Sequence, residues 1–116
     1  MTARPDAELE VLFTERVLGW KLHYEDGARE PEGWDSPDGD WKVGTAPVLR
    51  SRHGERWAFA GLRAHAEDWD WKVSGGRDDL CFASVWDEHG REFKATDPDL
   101  CRAIVLASCR AVGCEV

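Results

Sequence analysis

A chain of 116 residues, 42% hydrophobic and 33% charged, suits a single globular domain with one modest core; it is too short for two domains and too apolar for a disordered chain. No run of about 18 apolar residues could span a bilayer, and residues 1–8 lead into charge rather than a signal-peptide core, so the expected location is the cytoplasm of the cell that makes it. The net charge of −8 argues against duplex nucleic acid as a partner, because binding there depends on cations displacing phosphate counterions.

Asp6 is placed to cap a first helix over 6–18, in which Leu9, Leu12, Phe13 and Val17 repeat at helical spacing and Gly19 supplies the left-handed terminus. Trp20, Leu22 and Tyr24 then alternate with Lys21 and His23, the period of a short strand with one buried face. Residues 25–40 hold Gly27, Gly33, Gly39, Pro31 and Pro37 among seven acids, which predicts a long surface loop with Trp34 as a possible anchor. Trp41 to Val43 reads as a brief strand.

Residues 55–66 are rich in helix formers and predict a second helix that buries Trp57, Ala60, Gly61 and Ala64. Trp69, Trp71 and Val73 alternate, residues 74–78 supply turn chemistry, and Leu80, Phe82, Ser84 and Trp86 alternate in the returning limb: a hairpin. A tight turn at 87–90 leads to a third strand over 91–95 carrying Phe93, which completes a meander. Asp97 before Pro98 signals a final helix reaching about Val112, with Leu100, Ile104, Ala107 and Ala111 on one stripe and Cys101, Val105 and Val112 widening it. It is expected to be the most buried element. The order predicts a single α+β domain over 1–116, a mainly antiparallel sheet packed with N-terminal, middle and C-terminal helices as an α-β-α sandwich.

Charge is unevenly placed: residues 1–44 carry 5 basic and 11 acidic groups, 45–66 carry 4 and 1, and 67–116 carry 6 and 11. In the basic island, Arg50, Arg52, His53 and Arg56 lie near the start of the second helix, where guanidinium forks and free amides could hold a phosphate, a carboxylate or an acidic partner. Asp35, Asp38 and Asp40 faintly resemble a calcium loop, but its twelfth position falls on Ala46 instead of a bidentate glutamate, so no metal site is assigned. Cys81, Cys101, Cys109 and Cys114 form no C-x-x-C pair and are expected to be reduced thiols. Ser51 near His53 matches no nucleophile elbow or triad pattern, and no catalytic residue or cofactor is assigned. His65 and His89 lack any metal-ligand spacing. The tetrapeptide Asp-Trp-Lys-Val occurs at 40–43 and 70–73, as half-buried strands would. Trp34 and Trp41, in or beside the acidic Gly/Pro segment, are the tryptophans that folding explains least and hence the expected partner contacts.

Residues 8–21, Glu-Leu-Glu-Val-Leu-Phe-Thr-Glu-Arg-Val-Leu-Gly-Trp-Lys, resemble the opening of the phage ABA sandwich domain family, in which an amphipathic helix ends in Gly-Trp. The likeness continues through the Trp57 helix, the strands at 69–73 and 80–86, and the helix start at 96–104. It departs at 51–57, where a Thr-Asp-Ile-Ala-Ala-Ala-Trp run is replaced by Ser-Arg-His-Gly-Glu-Arg-Trp. The resemblance implies an α-β-α architecture and a phage or prophage origin, and brings no catalytic or ligand-binding residue. The expected function is that of a small non-enzymatic phage accessory protein that binds a protein partner, such as an inhibitor of a host system. The alternative is a module binding a nucleotide or other anion through the basic 50–56 segment.

Overall fold

The computed structural model describes residues 5–28, 31–35, 41–44, 48–49, 54–75 and 80–114. Helix α1 spans Asp6–Leu12 and continues as a π-helical turn over Phe13–Val17, closed by Leu18 N–H donating to the Phe13 carbonyl at 2.9 Å. Strands β1 (Lys21–His23), β2 (Gly33–Asp35) and β3 (Trp41–Val43) form a first antiparallel sheet in that order. Helix α2 (Gly54–Ala64) leads to a second antiparallel sheet of β4 (Asp70–Ser74), β5 (Cys81–Trp86) and β6 (Glu92–Asp97). Helix α3 (Leu100–Ala111) ends the described fold.

The α+β class and the antiparallel pairing are as the sequence predicts. The layering puts the helices in the middle: α3 lies on β5 and β6, α1 with its π turn and α2 lie on α3, and the first sheet packs on the π turn. Helix α3 is the element with most buried residues, Cys101, Ala103, Ile104, Val105, Ala107, Ser108 and Cys109, because it is covered from two sides. Two buried hydroxyls are satisfied within their own helices: Thr14 donates to the Glu10 carbonyl at 2.7 Å and Ser108 to that of Ile104 at 2.6 Å.

Several local readings change. Pro5, not Asp6, is the N-cap of α1, and Asp6 instead pairs with Arg102 of α3. The start signal at 97–98 shifts by two residues: Asp99 caps α3 by accepting from Cys101 N–H at 2.9 Å, while Asp97 accepts from Asp99 N–H. Helix α2 buries Gly54, Ala58, Gly61 and Leu62, leaving Trp57 and Ala60 partly covered and Ala64 exposed. Gly61 is buried as expected, because α2 needs a residue without a side chain where Phe13 crosses: a Cβ there would lie 2.5 Å from the Phe13 ring. In β5 the side against α3 holds Cys81, Ala83 and Val85, not the larger Phe82 and Trp86 of the other alternation.

The predicted surface loop over 25–40 contains β2, and Trp34 within it is 1% exposed. Its ring packs 4.1 Å from Trp20 and 5.4 Å from Trp57, and Trp20 meets Trp57 edge-on at 6.1 Å. These three rings tie the first sheet to α2. A second tie comes from His65, whose Nε2–H donates to the Val17 carbonyl at 2.8 Å while its ring stacks 3.9 Å from Trp69.

Two measurements check this account. Trp34→Ala removes the largest fully buried side chain and is expected to lower the free energy of unfolding by about 3–5 kcal/mol in denaturant titration. In the β5–β6 turn, burial tends to raise the Asp87 pKa, but bonds from the Arg91 and His89 N–H groups and the Arg91 guanidinium outweigh it and the net shift is downward from 3.8. A depressed folded value means stabilisation that is present above the unfolded pKa and lost as pH falls through the folded one. Asp87→Asn should therefore lower the thermal midpoint at neutral pH, and its gap to the wild type should close once the pH drops below 3.8.

Candidate functional site

The first sheet has one face against the helices and one turned outward. Cross-strand register puts Leu22 opposite Trp34 on the inner face. On the outer face Lys21, Asp35 and Trp41 form one row, and His23 and Gly33 stand in the next. Across these rows His23 Nε2 meets Asp35 Oδ2 at 2.7 Å, and the Trp41 ring centre lies 5.3 Å from that of His23.

Gly33 makes this arrangement possible. A Cβ there would stand 2.4 Å from Trp41 Cζ2 and 2.4 Å from the Lys42 carbonyl oxygen. The indole thus crosses bare backbone and reaches the imidazole. Trp41 keeps 47% of its surface exposed, and Tyr24, just past β1, keeps 46%. The Tyr24 hydroxyl pKa is raised, first by burial and then by Glu15, so it remains a neutral donor. Glu25, Asp26 and Glu32 are exposed in the same stretch of chain. An exposed indole, a polar His–Asp pair beside it and exposed acids in the same stretch of chain give this face the composition common at protein interfaces. Among the described residues, the His23 side chain makes one hydrogen bond, to Asp35, and no Ser, Thr or Cys side chain joins it.

The residues singled out in the sequence separate sharply. Trp41 is exposed as expected. Trp34 is a correction: it is in the core, so it can hold the sheet but cannot reach a partner. Arg56 is exposed on α2, while Arg50, Arg52, His53 and Ser51 lie outside the described residues, as do Asp38 and Asp40. Asp35 is engaged with His23 instead of a cation loop. Among the described residues no group of three or more His, Cys, Asp or Glu side chains is arranged to hold a metal ion. His89 sits in the exposed turn, 3.5 Å from Glu88.

No disulfide joins any of the four cysteines. Burial above all, then the charges of Asp99 and Glu55, pushes Cys101 up to about 11, and burial with a contact from Cys114 pushes Cys109 up to about 12. Both are therefore protonated at neutral pH and poor nucleophiles.

Two features are not legible in the sequence. The His23–Asp35 pair spans twelve positions and exists only through the β1–β2 register, for which the alternation of His23 with Leu22 was the one available hint. Glu10 is fully buried on α1, where its carboxylate accepts from Leu49 N–H at 2.9 Å and so fixes the chain just ahead of the basic segment.

Gly33→Ala tests the geometry. The methyl must displace the Trp41 ring and crowd the β2–β3 backbone, so Trp41 emission should shift red and the thermal midpoint should fall, with Gly33→Ser behaving alike. An unshifted spectrum would contradict the ring placement. No family model, curated protein or solved structure matches this chain.

Proposed function

We propose that this is a small non-enzymatic accessory protein that acts by occupying a protein partner, and that the outer face of the first sheet is its docking surface. The observation that carries this reading is Trp41. It stays half exposed at a sheet edge, beside the His23–Asp35 pair, while Trp34 and Trp69 are buried. Tryptophan and tyrosine dominate the energetics of protein interfaces, and a polar rim around them excludes water.

Charge selects the class of partner. Residues 1–44 carry six more acids than bases, so the surface suits a basic groove, which it would find by electrostatic steering. The phage origin implied by the resemblance of residues 8–21 fits an accessory role, and inhibition of a host system by blocking a basic surface is the form we favour. Among the described residues no helix is long and apolar enough to cross a membrane.

The test is capture from host lysate on the immobilised protein, with Trp41→Ala alongside. A partner should bind at low salt, elute as salt rises, and bind the variant roughly 30-fold more weakly, the loss expected for removing an interface hot spot of about 2 kcal/mol. Equal capture by the two proteins would overturn the assignment of this face. Quenching of tryptophan emission by nucleotides without any captured protein would favour the anion-binding alternative centred on Arg56 and its neighbours in sequence.

A further inference from the structure

Strand β5 reads Cys-Phe-Ala-Ser-Val-Trp, apolar in both alternations, which is the pattern of a strand covered on both faces. Helix α3 covers one face only, the one bearing Cys81, Ala83 and Val85. On the other, Phe82 and Trp86 are mostly covered but do not pack against the buried core, and Leu80 just ahead of the strand is 61% exposed. This face is ordered in three rows across the sheet: Asp70, Trp86 and Glu92; Lys72, Ser84 and Lys94; Ser74, Phe82 and Thr96. Acids flank the tryptophan, and lysines flank the serine. Ser84 is 0% exposed, and among the described residues its hydroxyl has no hydrogen-bond partner.

We propose that this face pairs two copies of the chain about a two-fold axis. Take an axis in the plane between the two sheets, perpendicular to β5 and passing between the tryptophan and serine rows. It leaves each strand over its own counterpart and exchanges the two rows. Asp70 then meets Lys72 of the second copy, Glu92 meets Lys94, and the Trp86 ring lies over the serine row between them. Each contact occurs twice, as an isologous interface requires. An axis through the serine row would instead stack lysine on lysine, so the charge rows select one register and oppose the other. The Lys94 ammonium, 3.3 Å from Glu92 of its own strand, needs only a small swing to bridge the copies.

The footprint is small. Three strands spaced ~4.8 Å apart and the two exchanged rows, about four residues rising ~3.3 Å each, cover ~200 Å², well short of the ~800 Å² per partner of stable complexes. The dimer is therefore weak and concentration-dependent.

Sedimentation velocity at physiological salt tests it by a charge swap. Wild type should move from the 13.1 kDa monomer to twice that mass as concentration rises toward millimolar. K72E/K94E makes both rows acidic and D70K/E92K makes both basic, so each alone should stay monomeric, while an equimolar mixture should associate again. All four positions are exposed, so the fold should survive, as far-UV circular dichroism will show. Trp86→Ala provides a variant without charge change and should also be monomeric. Wild type that remains monomeric at millimolar concentration, reversed variants that still self-associate, or a mixture that fails to associate would each overturn the proposal.

Discussion

Everything in this fold hangs on a helix that is covered over most of its circumference. Helix α3 buries Ala103, Ile104, Val105, Ala107, Ser108 and Cys109, which leave the stripe of Arg102, Leu106 and Arg110 partly open. A helix with so wide an apolar face must be covered from more than one side. Its side chains are mostly small, so the second sheet and the other helices can approach closely, and the facing positions on β5 and β6 are small as well: Ala83, Val85 and Ala95. The rest of the chain is arranged to close the enclosure, with the meander on one side and α1 with α2 on the other.

That enclosure leaves the first sheet with nothing of α3 to pack on, and three tryptophans solve the problem. Trp20 at the end of the π turn, Trp34 on β2 and Trp57 on α2 meet within 6.1 Å, so a three-stranded sheet of three-residue strands is fastened to the helices by aromatic area. Such short strands could not stand alone. The same fastening determines which tryptophan is left for the surface: with Trp34 drawn inward, the alternation of β2 sends Asp35 outward to His23, and Trp41 follows across Gly33.

Where the sequence was informative, one periodicity had no competitor. The helix over 6–18, the brief strand at Trp41–Val43, the meander and the enclosed last helix all show such patterns, and each is present. Where it misled, two readings competed or the deciding contact was distant. In β5 both alternations are apolar, and the larger residues Phe82 and Trp86 looked like the core; the real core face is the one small enough for α3. Gly and Pro around Trp34 spoke for a loop, and only its pairing with Leu22 and Lys42, twelve and eight residues away, makes it a buried strand. On α2 only Gly61 of the expected face is fully buried, and the Phe13 ring that it receives comes from far off in sequence. The candidate site was legible as a residue, Trp41, but not as a geometry, since a His–Asp contact across a hairpin leaves no local pattern.

The charge pattern finally bears on how such a molecule can be both sticky and discriminating. A net charge of −8 makes copies of the chain, and other acidic proteins, repel one another at long range. At physiological salt that repulsion fades beyond a Debye length of about 8 Å, so it slows encounters without forbidding contact. Attraction must then come from short-range features, and the two open faces supply different ones. The outer face of the first sheet joins an exposed indole to a mainly acidic stretch of chain, and as the proposed docking surface it would favour basic partners over acidic ones, this chain included. The open face of the second sheet alternates acid and lysine rows, so its local charge is balanced and its preference lies in register instead of sign. A surface of one sign discriminates between classes of partner, whereas a striped one discriminates between alignments of the same partner, and the two can therefore operate on one small domain without competing.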